Sequence, residues 1–409
     1  MNLLMAMTLV LAGAGKSAGE SGDCWPAFRG QGDSHSAAES LPLTWSDTQG
    51  VAWTADLPGY GQSSPVVWRD RVFVTTMDGD NKETAIVLCF DLASGRKLWR
   101  KNFDASQQVK ASNYVSRSAP TPVVDADRVY AFFESGDLIA LTHDGEQVWK
   151  RSLTNEYGLF QGNHGVGSSP AITAETVIVL VSHDGPSYLL SVDKQTGENR
   201  WKVDREAAVS WSSPVVHGDE NNHELFISSS GVVEAVDLRS GKIKWSIKGL
   251  EGNNVPSAAV GEELVIVGSS ATGSNLAVRR GGAGDVSDTH VAWRLEEAAS
   301  SFGSPLLYRG RAYFVNRSGV AMCVDAASGK TLWQRRLDGS CWASPIAAGE
   351  RIYFFTKTGA TTVAAAKDEL EILAENTLTA EDAVVGVAAV NGRFLIRTPR
   401  KLVCIATAK

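Results

Sequence analysis

The stretch DLRSGKIKW, Asp237–Trp245, is one of four near-copies in a chain of 409 residues. The others are DLASGRKLW (Asp91–Trp99), DKQTGENRW (Asp193–Trp201) and DAASGKTLW (Asp325–Trp333). Each opens on Asp and closes on Trp eight positions later. An Asp side chain accepts backbone N–H bonds inside a tight turn, and Gly takes positive φ without a Cβ penalty. The phrase therefore predicts a turn feeding a strand that carries Trp at a fixed place. Trp149 and Trp293 occupy the same place in looser copies.

A second phrase recurs upstream of each Trp. It reads SSPVV (Ser63–Val67), APTPVV (Ala119–Val124), SSPAI (Ser168–Ile172), SSPVV (Ser212–Val216), VPSAAV (Val255–Val260), GSPLL (Gly303–Leu307) and ASPIA (Ala343–Ala347). Two short apolar runs separate the phrases, such as RVFVTT and IVLCFD. Each unit is thus four short β-rich runs divided by turn residues, too short for helices. An indole buries about 150–250 Å², which one four-stranded sheet cannot hide on its own. The Trp is expected as a wedge between successive sheets.

A repeat of roughly 40–57 residues with four strands per unit is the signature of a β-propeller. The Pro-bearing phrase counts seven units. An eighth follows as AVVGVAAV, RFLIRT and KLVCIA, with no Trp strand after it. Its fourth strand is expected from VAWTADL, Val51–Leu57, which carries Trp53. The fold class is therefore all-β, an eight-bladed propeller of four-stranded antiparallel blades closed by an N-terminal strand, with seven blades as the alternative. Two copies are irregular. Blade five has the flexible-looking tip GGAGDVSDTH (Gly281–His290), and blade seven ends in ELEILAEN with no Trp.

Composition is that of a globular chain, 43% hydrophobic and 21% charged. A net charge of −7 argues against a nucleic-acid partner, which would want a basic face. Leu3–Ala14 is an apolar run shorter than the roughly 20 residues that span a bilayer. With Ala12 and Ala14 in a small-x-small pattern, residues 1–23 read as a targeting segment, although no Lys or Arg precedes the run. Residues 24–409 then form a single domain, secreted or periplasmic, not membrane-spanning and monomeric. Cys24 follows Ser-Gly-Asp rather than a small-residue box, so no lipid anchor is expected. Cys89, Cys323 and Cys404 sit in matching runs and read as small buried strand residues. A Cys24–Cys341 bridge would need an oxidising compartment.

The phrase A-x-D-x-x-[ST]-G-x-x-x-W resembles the repeat of pyrroloquinoline quinone (PQQ) quinoprotein propellers. The segment CWPAFRGQGDSHSAAESLPLTW resembles the lead-in of secreted bacterial PQQ-like repeat proteins. The resemblance covers about residues 24–409. It implies either a PQQ-dependent dehydrogenase with Ca²⁺ or a cofactor-free propeller like the outer-membrane β-barrel assembly lipoprotein. Dehydrogenases of this family carry two adjacent cysteines and acidic cation ligands. Here no Cys neighbours another, and no residue maps onto those ligands.

Loops running from an outermost strand to the next innermost one are expected to gather at one face. They carry Tyr60 and Gln62; Asn113, Tyr114 and Arg117; Asn163 and His164; Trp211; Asn253 and Asn254; Phe302; Trp342; and Glu381 with Asp382. Aromatic and amide groups around a concave mouth suit a ligand or partner. The binding set read from sequence is Tyr60, Gln62, Asn113, Arg117, His164, Trp211, Asn254 and Trp342, with no catalytic and no metal residue. DGDNKE (Asp78–Glu83) reads as a turn rather than a Ca²⁺ loop. GAGKS (Gly13–Ser17) lacks the first Gly of a phosphate loop. HGDENNHE (His217–Glu224) reads as a solvated hairpin, and Arg29 as a clamp for the lead-in. The leading expectation is a non-catalytic binding module for a protein or a polymer such as a glycan, with no cofactor. A PQQ-dependent oxidoreductase is the alternative, and an outer-membrane assembly factor the lesser one.

Overall fold

The computed structural model describes residues 22–38, 40–112, 116–162, 164–218, 224–297, 300–380 and 382–407. Eight antiparallel sheets follow one another along the chain as the blades of a propeller. From innermost to outermost strand, blade one runs from Val66–Trp68 to Lys97–Asp104 and blade two from Val123–Val124 to Gln147–Ser152. Blade three runs from Ala171–Ile172 to Asn199–Arg205, and blade four from Val215–His217 to Ile243–Lys248. Blade five runs from Ala259–Val260 to Val291–Leu295, six from Leu306–Tyr308 to Thr331–Arg336, and seven from Ile346–Ala348 to Ile372–Asn376. Blade eight takes Gly386–Val390, Arg393–Arg397 and Lys401–Ala406 from the C-terminus and Val51–Asp56 from the N-terminal side. Trp53 stands opposite Cys404 in that seam, as the sequence predicts. Helix is confined, among the described residues, to Leu153–Tyr157.

The recurring Trp is the wedge between blades, and except at Trp245 its indole N–H bonds the turn of the next blade. Trp53 Nε1 donates to Leu92 O at 3.0 Å, Trp99 to His143 O at 2.8 Å, and Trp149 to Lys194 O at 2.9 Å. Trp201 reaches Leu238 O at 2.9 Å and Trp293 reaches Ala326 O at 2.8 Å. Glycine is required under the indole. A Cβ on Gly95 would lie 2.4 Å from the Trp53 ring, and one on Gly241 would lie 2.7 Å from Trp201. Opposite each Trp the third strand carries a small residue: Cys89, Ala140, Ser191, Ala235, Ala277, Cys323 or Cys404. In blade seven, where Ala374 replaces the Trp, the facing residue grows to Val363. The three strand cysteines are therefore volume matches to an indole, and burial lifts each thiol to about 12. Cys24 packs in the cluster between blades one and two, and Cys341 in that between six and seven.

The Ser-Pro phrase has a separate job. The N–H of the residue before each proline position donates to the side-chain hydroxyl of its counterpart in the next blade. Ser64 donates to Thr121, Thr121 to Ser169, Ser169 to Ser213, Ser213 to Ser257, Ser257 to Ser304 and Ser304 to Ser344, all at 2.8–3.0 Å. This belt lines the channel through seven blades. Blade eight has Val385 instead, and its Gly386 packs so close to Ser64 that a Cβ would sit 2.4 Å from the hydroxyl.

The lead-in crosses the channel at the opposite end from the belt's loops. Cys24–Trp25 pairs antiparallel with blade one, and His35–Ser36 pairs parallel with blade seven. Between them Arg29 is buried at a φ of 60°. Its guanidinium donates to Ala258 O and Pro305 O, both at 2.8 Å, and to Ser34 Oγ at 3.0 Å. Burial lowers its pKa to about 10, against the pull of Asp33, so it stays charged at neutral pH. On the side of blades seven, eight and one, a cavity of about 40 Å³ lies between the lead-in and the belt, lined by Trp25, Arg29, Ser64 and Trp342. The tip of blade five is not a loose loop. Gly284–Asp285 adds as a parallel strand to the outer edge of blade four, opposite Trp245 and Ser246. The segment expected as a targeting signal lies outside the described residues apart from Gly22 and Asp23.

Two measurements test this account. Ser213→Ala leaves the buried Ser169 N–H without an acceptor, which should cost about 1–3 kcal/mol in urea unfolding. A loss within error of a half-buried Ser46→Ala control would refute the belt. The turn carboxylates Asp91, Asp237 and Asp325 are held below the usual range first by the hydroxyl of Ser94, Ser240 or Ser328. Asp193 is lowered first by the Thr196 N–H. Because the folded state holds these pKa values down, their stabilisation is present above about pH 4 and is lost as pH falls through the folded values. Melting temperature should drop below about pH 4, and a quadruple Asp→Asn variant should show a shallower acid limb.

Candidate functional site: the loop face

From blade one to blade five, each loop that enters an innermost strand is bonded to the next loop round the ring. Gln62 N donates to Arg117 O and Ser118 O, and its Oε1 accepts from Arg117 N at 3.0 Å. Ser116 N donates to His164 O at 2.8 Å. Trp211 Nε1 donates to Gly165 O at 3.0 Å, while its N–H and that of Ser212 go to Asn254 O. Further round, Lys357 N donates to Ser340 O, and Val384 N to Lys357 O. The face is thereby one connected rim.

Aromatic rings and cations alternate on it. The Arg117 guanidinium lies 4.4 Å from the Tyr60 ring centroid, and Arg400 lies 5.9 Å from the same ring. Burial raises the Tyr60 pKa, with Arg117 opposing, so the phenol stays a donor. His164 and Trp211 meet at 5.8 Å, and Phe302 and Trp342 at 5.5 Å. Lys357 Nζ sits 3.8 Å over Trp342. Such cation–π contacts are worth about 0.5–2 kcal/mol and hold the rings upright at the surface.

Under the rim between blades eight, one and two runs a buried polar chain. Glu134 accepts from Ser118 N through both oxygens, at 2.8 and 2.9 Å, and from Lys82 Nζ at 3.4 Å. Lys82 also reaches Ser116 O at 3.0 Å. Burial raises the Glu134 pKa, with Lys82 pulling it back. Ser118 Oγ donates to Thr75 Oγ1 at 2.7 Å, and Thr75 Oγ1 to Ser63 Oγ at 2.9 Å. The chain ends on Arg397, fully buried, which donates to Ser63 O, Ser63 Oγ and Thr75 O. Burial lowers the Arg397 pKa to about 9, so it too remains a cation at neutral pH.

The structure brings Tyr60, Gln62 and Arg117 into one contact group and His164 with Trp211 into another. Trp342 stands across the mouth with Phe302. Asn254 lies elsewhere in character: it is buried, and its Oδ1 accepts from Gly231 N at 2.8 Å. Asn113, Tyr114, Asn163 and Glu381 lie outside the described residues. Sequence reading missed Lys357, Arg400, Lys82, Glu134 and Arg397. Lys82 sits inside DGDNKE, which is a hairpin turn here, with Lys82 N donating to Gly79 O. Among the described residues no group of three His, Cys, Asp or Glu is placed to hold a metal ion.

A family model described as "Outer membrane protein assembly factor BamB" matches residues 43–158 and 142–377. The chain belongs to this PQQ-like repeat propeller family. A BamB of Moranella endobia (strain PCIT) is 23% identical over 67% of this chain and 67% of its own length. One of Yersinia pestis is 25% identical over 53% of this chain, which spans 56% of that relative. Among solved structures, BamB from Moraxella catarrhalis superposes with a TM-score of 0.61 at 14% identity, covering 87% of this chain and 96% of that one. A europium-containing methanol dehydrogenase gives 0.66 at 11% identity, covering 93% and 90%. At those identities the structural likeness speaks for the fold alone. The BamB-family match and the quinoprotein likeness thus share one ring, and the fold by itself does not assign a function.

Lys82→Met should leave Glu134 as an uncompensated buried charge and destabilise the chain by about 3–5 kcal/mol. Adding Glu134→Gln should recover much of the loss, because no charge is then buried alone. Chemical denaturation of both variants measures it, and equal stability of single and double variants would contradict the pairing.

Proposed function

We propose that the chain is an assembly factor of the bacterial envelope that works by holding a partner protein on its loop face. The observation that carries this reading is the match of the BamB family model across most of the ring, residues 43–158 and 142–377. The relatives named as outer membrane protein assembly factors favour a protein partner over a glycan. The rim suits that role physically. Tyr60, Trp211 and Trp342 are large, stiff and partly exposed, and cations flank two of them. Buried aromatic and Arg anchors dominate the energy of protein interfaces.

The quinone alternative asks for a pocket and a cation cage, and the residues present do not fit them. On the side of blades seven, eight and one the space between lead-in and belt is about 40 Å³, and the larger groove beside blades two to four has, among the described residues, Asp125 as its lining carboxylate, already paired with Lys194. The cysteines are spread over separate strands and inter-blade clusters rather than paired against a ring. Around the mouth the basic groups are engaged with aromatic faces and backbone carbonyls, and among the described residues carboxylates do not cluster. No catalytic step is derived through PQQ for this chain.

The test is cross-linking of the purified chain in bacterial envelope extracts, followed by quantitative identification of captured proteins. The wild type should capture components of outer-membrane protein assembly. A triple Arg117→Ala, Trp211→Ala, Trp342→Ala variant of unchanged circular dichroism should lose at least about tenfold. Equal capture by both would remove the loop face. Saturable binding of PQQ with Ca²⁺, followed by quinone absorbance and dye reduction with alcohols, would replace this reading with the oxidoreductase.

A further inference from the structure

In an antiparallel pair, hydrogen-bonded and non-bonded residues alternate, so an edge strand turns every second residue's N–H and C=O outward. In this ring the innermost strands are edges, and their outward groups face the channel. The lead-in satisfies them wherever it passes. Trp25 pairs with Val67 of blade one, and Pro26 O accepts from Val124 N of blade two at 2.8 Å. Ser34 O accepts from Ala347 N of blade seven at 3.0 Å. The His35 ring meets Leu307 O of blade six at 2.7 Å, and Ser36 Oγ donates to Ala389 O of blade eight at 3.0 Å.

Among the described residues, the innermost strands of blades three, four and five receive no such bond, and blade three borders a wide space. Thr173 N donates to Thr176 O, which makes that pair the bonded one. Ile172, opposite Val177, is then in the non-bonded register, and its N–H and C=O face the channel. There they border a groove of about 520 Å³ between the lead-in and the innermost strands of blades two to four. Its walls are Pro26, Phe28, Pro170, Ala171, Ile172 and Val215, and the Lys194–Asp125 ion pair, 2.7 Å, stands at the rim. The volume falls within the range of roughly 300–1,000 Å³ that holds ligands.

We propose that this groove binds an extended, largely apolar peptide segment of a partner protein, which adds as a short strand to the channel-facing edge of blade three. The chain itself sets the precedent. Its lead-in adds to such edges in both senses, antiparallel on Val66–Trp68 and parallel on Ile346–Ala348, at the same end of the channel. The occupant continues that interface across blade three, the first of the blades that the lead-in leaves without a backbone bond. Backbone pairing supplies the affinity and the apolar wall selects alternate side chains. The groove lies at the turn end of the innermost strands, away from the loop face, so its fate is separate from that of the assembly reading.

The probe is a set of ten-residue peptides selected by phage display on the full chain, with affinity measured by fluorescence anisotropy. Ile172→Pro deletes the one channel-facing donor while leaving the blade's own ladder bonds intact. Ala174→Trp fills the mouth from an exposed position. Both variants should weaken the selected peptides at least tenfold. In the free chain the Ile172 amide should exchange with deuterium faster than those of Val124 and Ala347, and peptide should slow it at least tenfold. Unchanged affinity in Ala174→Trp, no enrichment of any peptide, or an Ile172 amide already as protected as Val124 would each overturn the proposal.

Discussion

The contact on which the ring depends is an indole resting on the glycine of the next blade. A four-stranded blade here has two apolar faces and cannot bury both alone. At five joints (Trp53, Trp99, Trp149, Trp201 and Trp293) the Trp on the outermost strand bridges to the neighbouring blade's turn, donating Nε1 to a carbonyl and covering a Gly whose Cβ would collide. A buried indole carries about 4–6 kcal/mol of gross apolar burial, so each joint is a large share of what holds two blades together. The apolar core is accordingly a ring of inter-blade clusters rather than one centre.

This is why the fold is legible in the chain. The partners of the joint lie in two short phrases whose spacing repeats, and a one-residue change in either would break the register. Trp53 and Cys404 betray the shared eighth blade for the same reason. What the sequence hides has a different cause. The Ser-Pro phrase announces a strand entry, but nothing local says that its hydroxyl serves the neighbouring blade's N–H. Arg29 bonds Pro305 across 276 positions, and Arg397 bonds Ser63 across 334. Such pairs are set by closure of the ring, not by any pattern along it. The blade-five tip looked loose because Gly and Asp dominate it, yet small residues let it lie flat against Trp245.

The same distinction governs the candidate site. Aromatic rim residues could be placed because the loops are defined by the strands on either side. Which of them stand free could not. Asn254 is buried, its Oδ1 taken by the Gly231 N–H and its carbonyl by the N–H groups of Trp211 and Ser212, whereas Lys357 and Arg400 come from hairpins that the loop count ignored. Loops tied to one another suit a surface that meets a partner pre-formed.

The two buried arginines mark where repetition stops. Through seven blades the hydroxyl belt supplies one bond per joint at the channel. At blade eight the hydroxyl is absent, since Val385 takes its place, and the seam to blade one is where a ring made from two chain ends is weakest. Arg397 stands there, spanning from blade eight to Ser63 and Thr75 with three donors on backbone and hydroxyl oxygens. At the far end of the channel Arg29 does the equivalent for the lead-in, tying it to blades five and six. A fully buried guanidinium costs far more to desolvate than a serine. Its presence at both irregular points, and with several oxygens each time, follows from geometry: only a long, forked, five-donor side chain reaches across a gap that the repeat leaves unbonded.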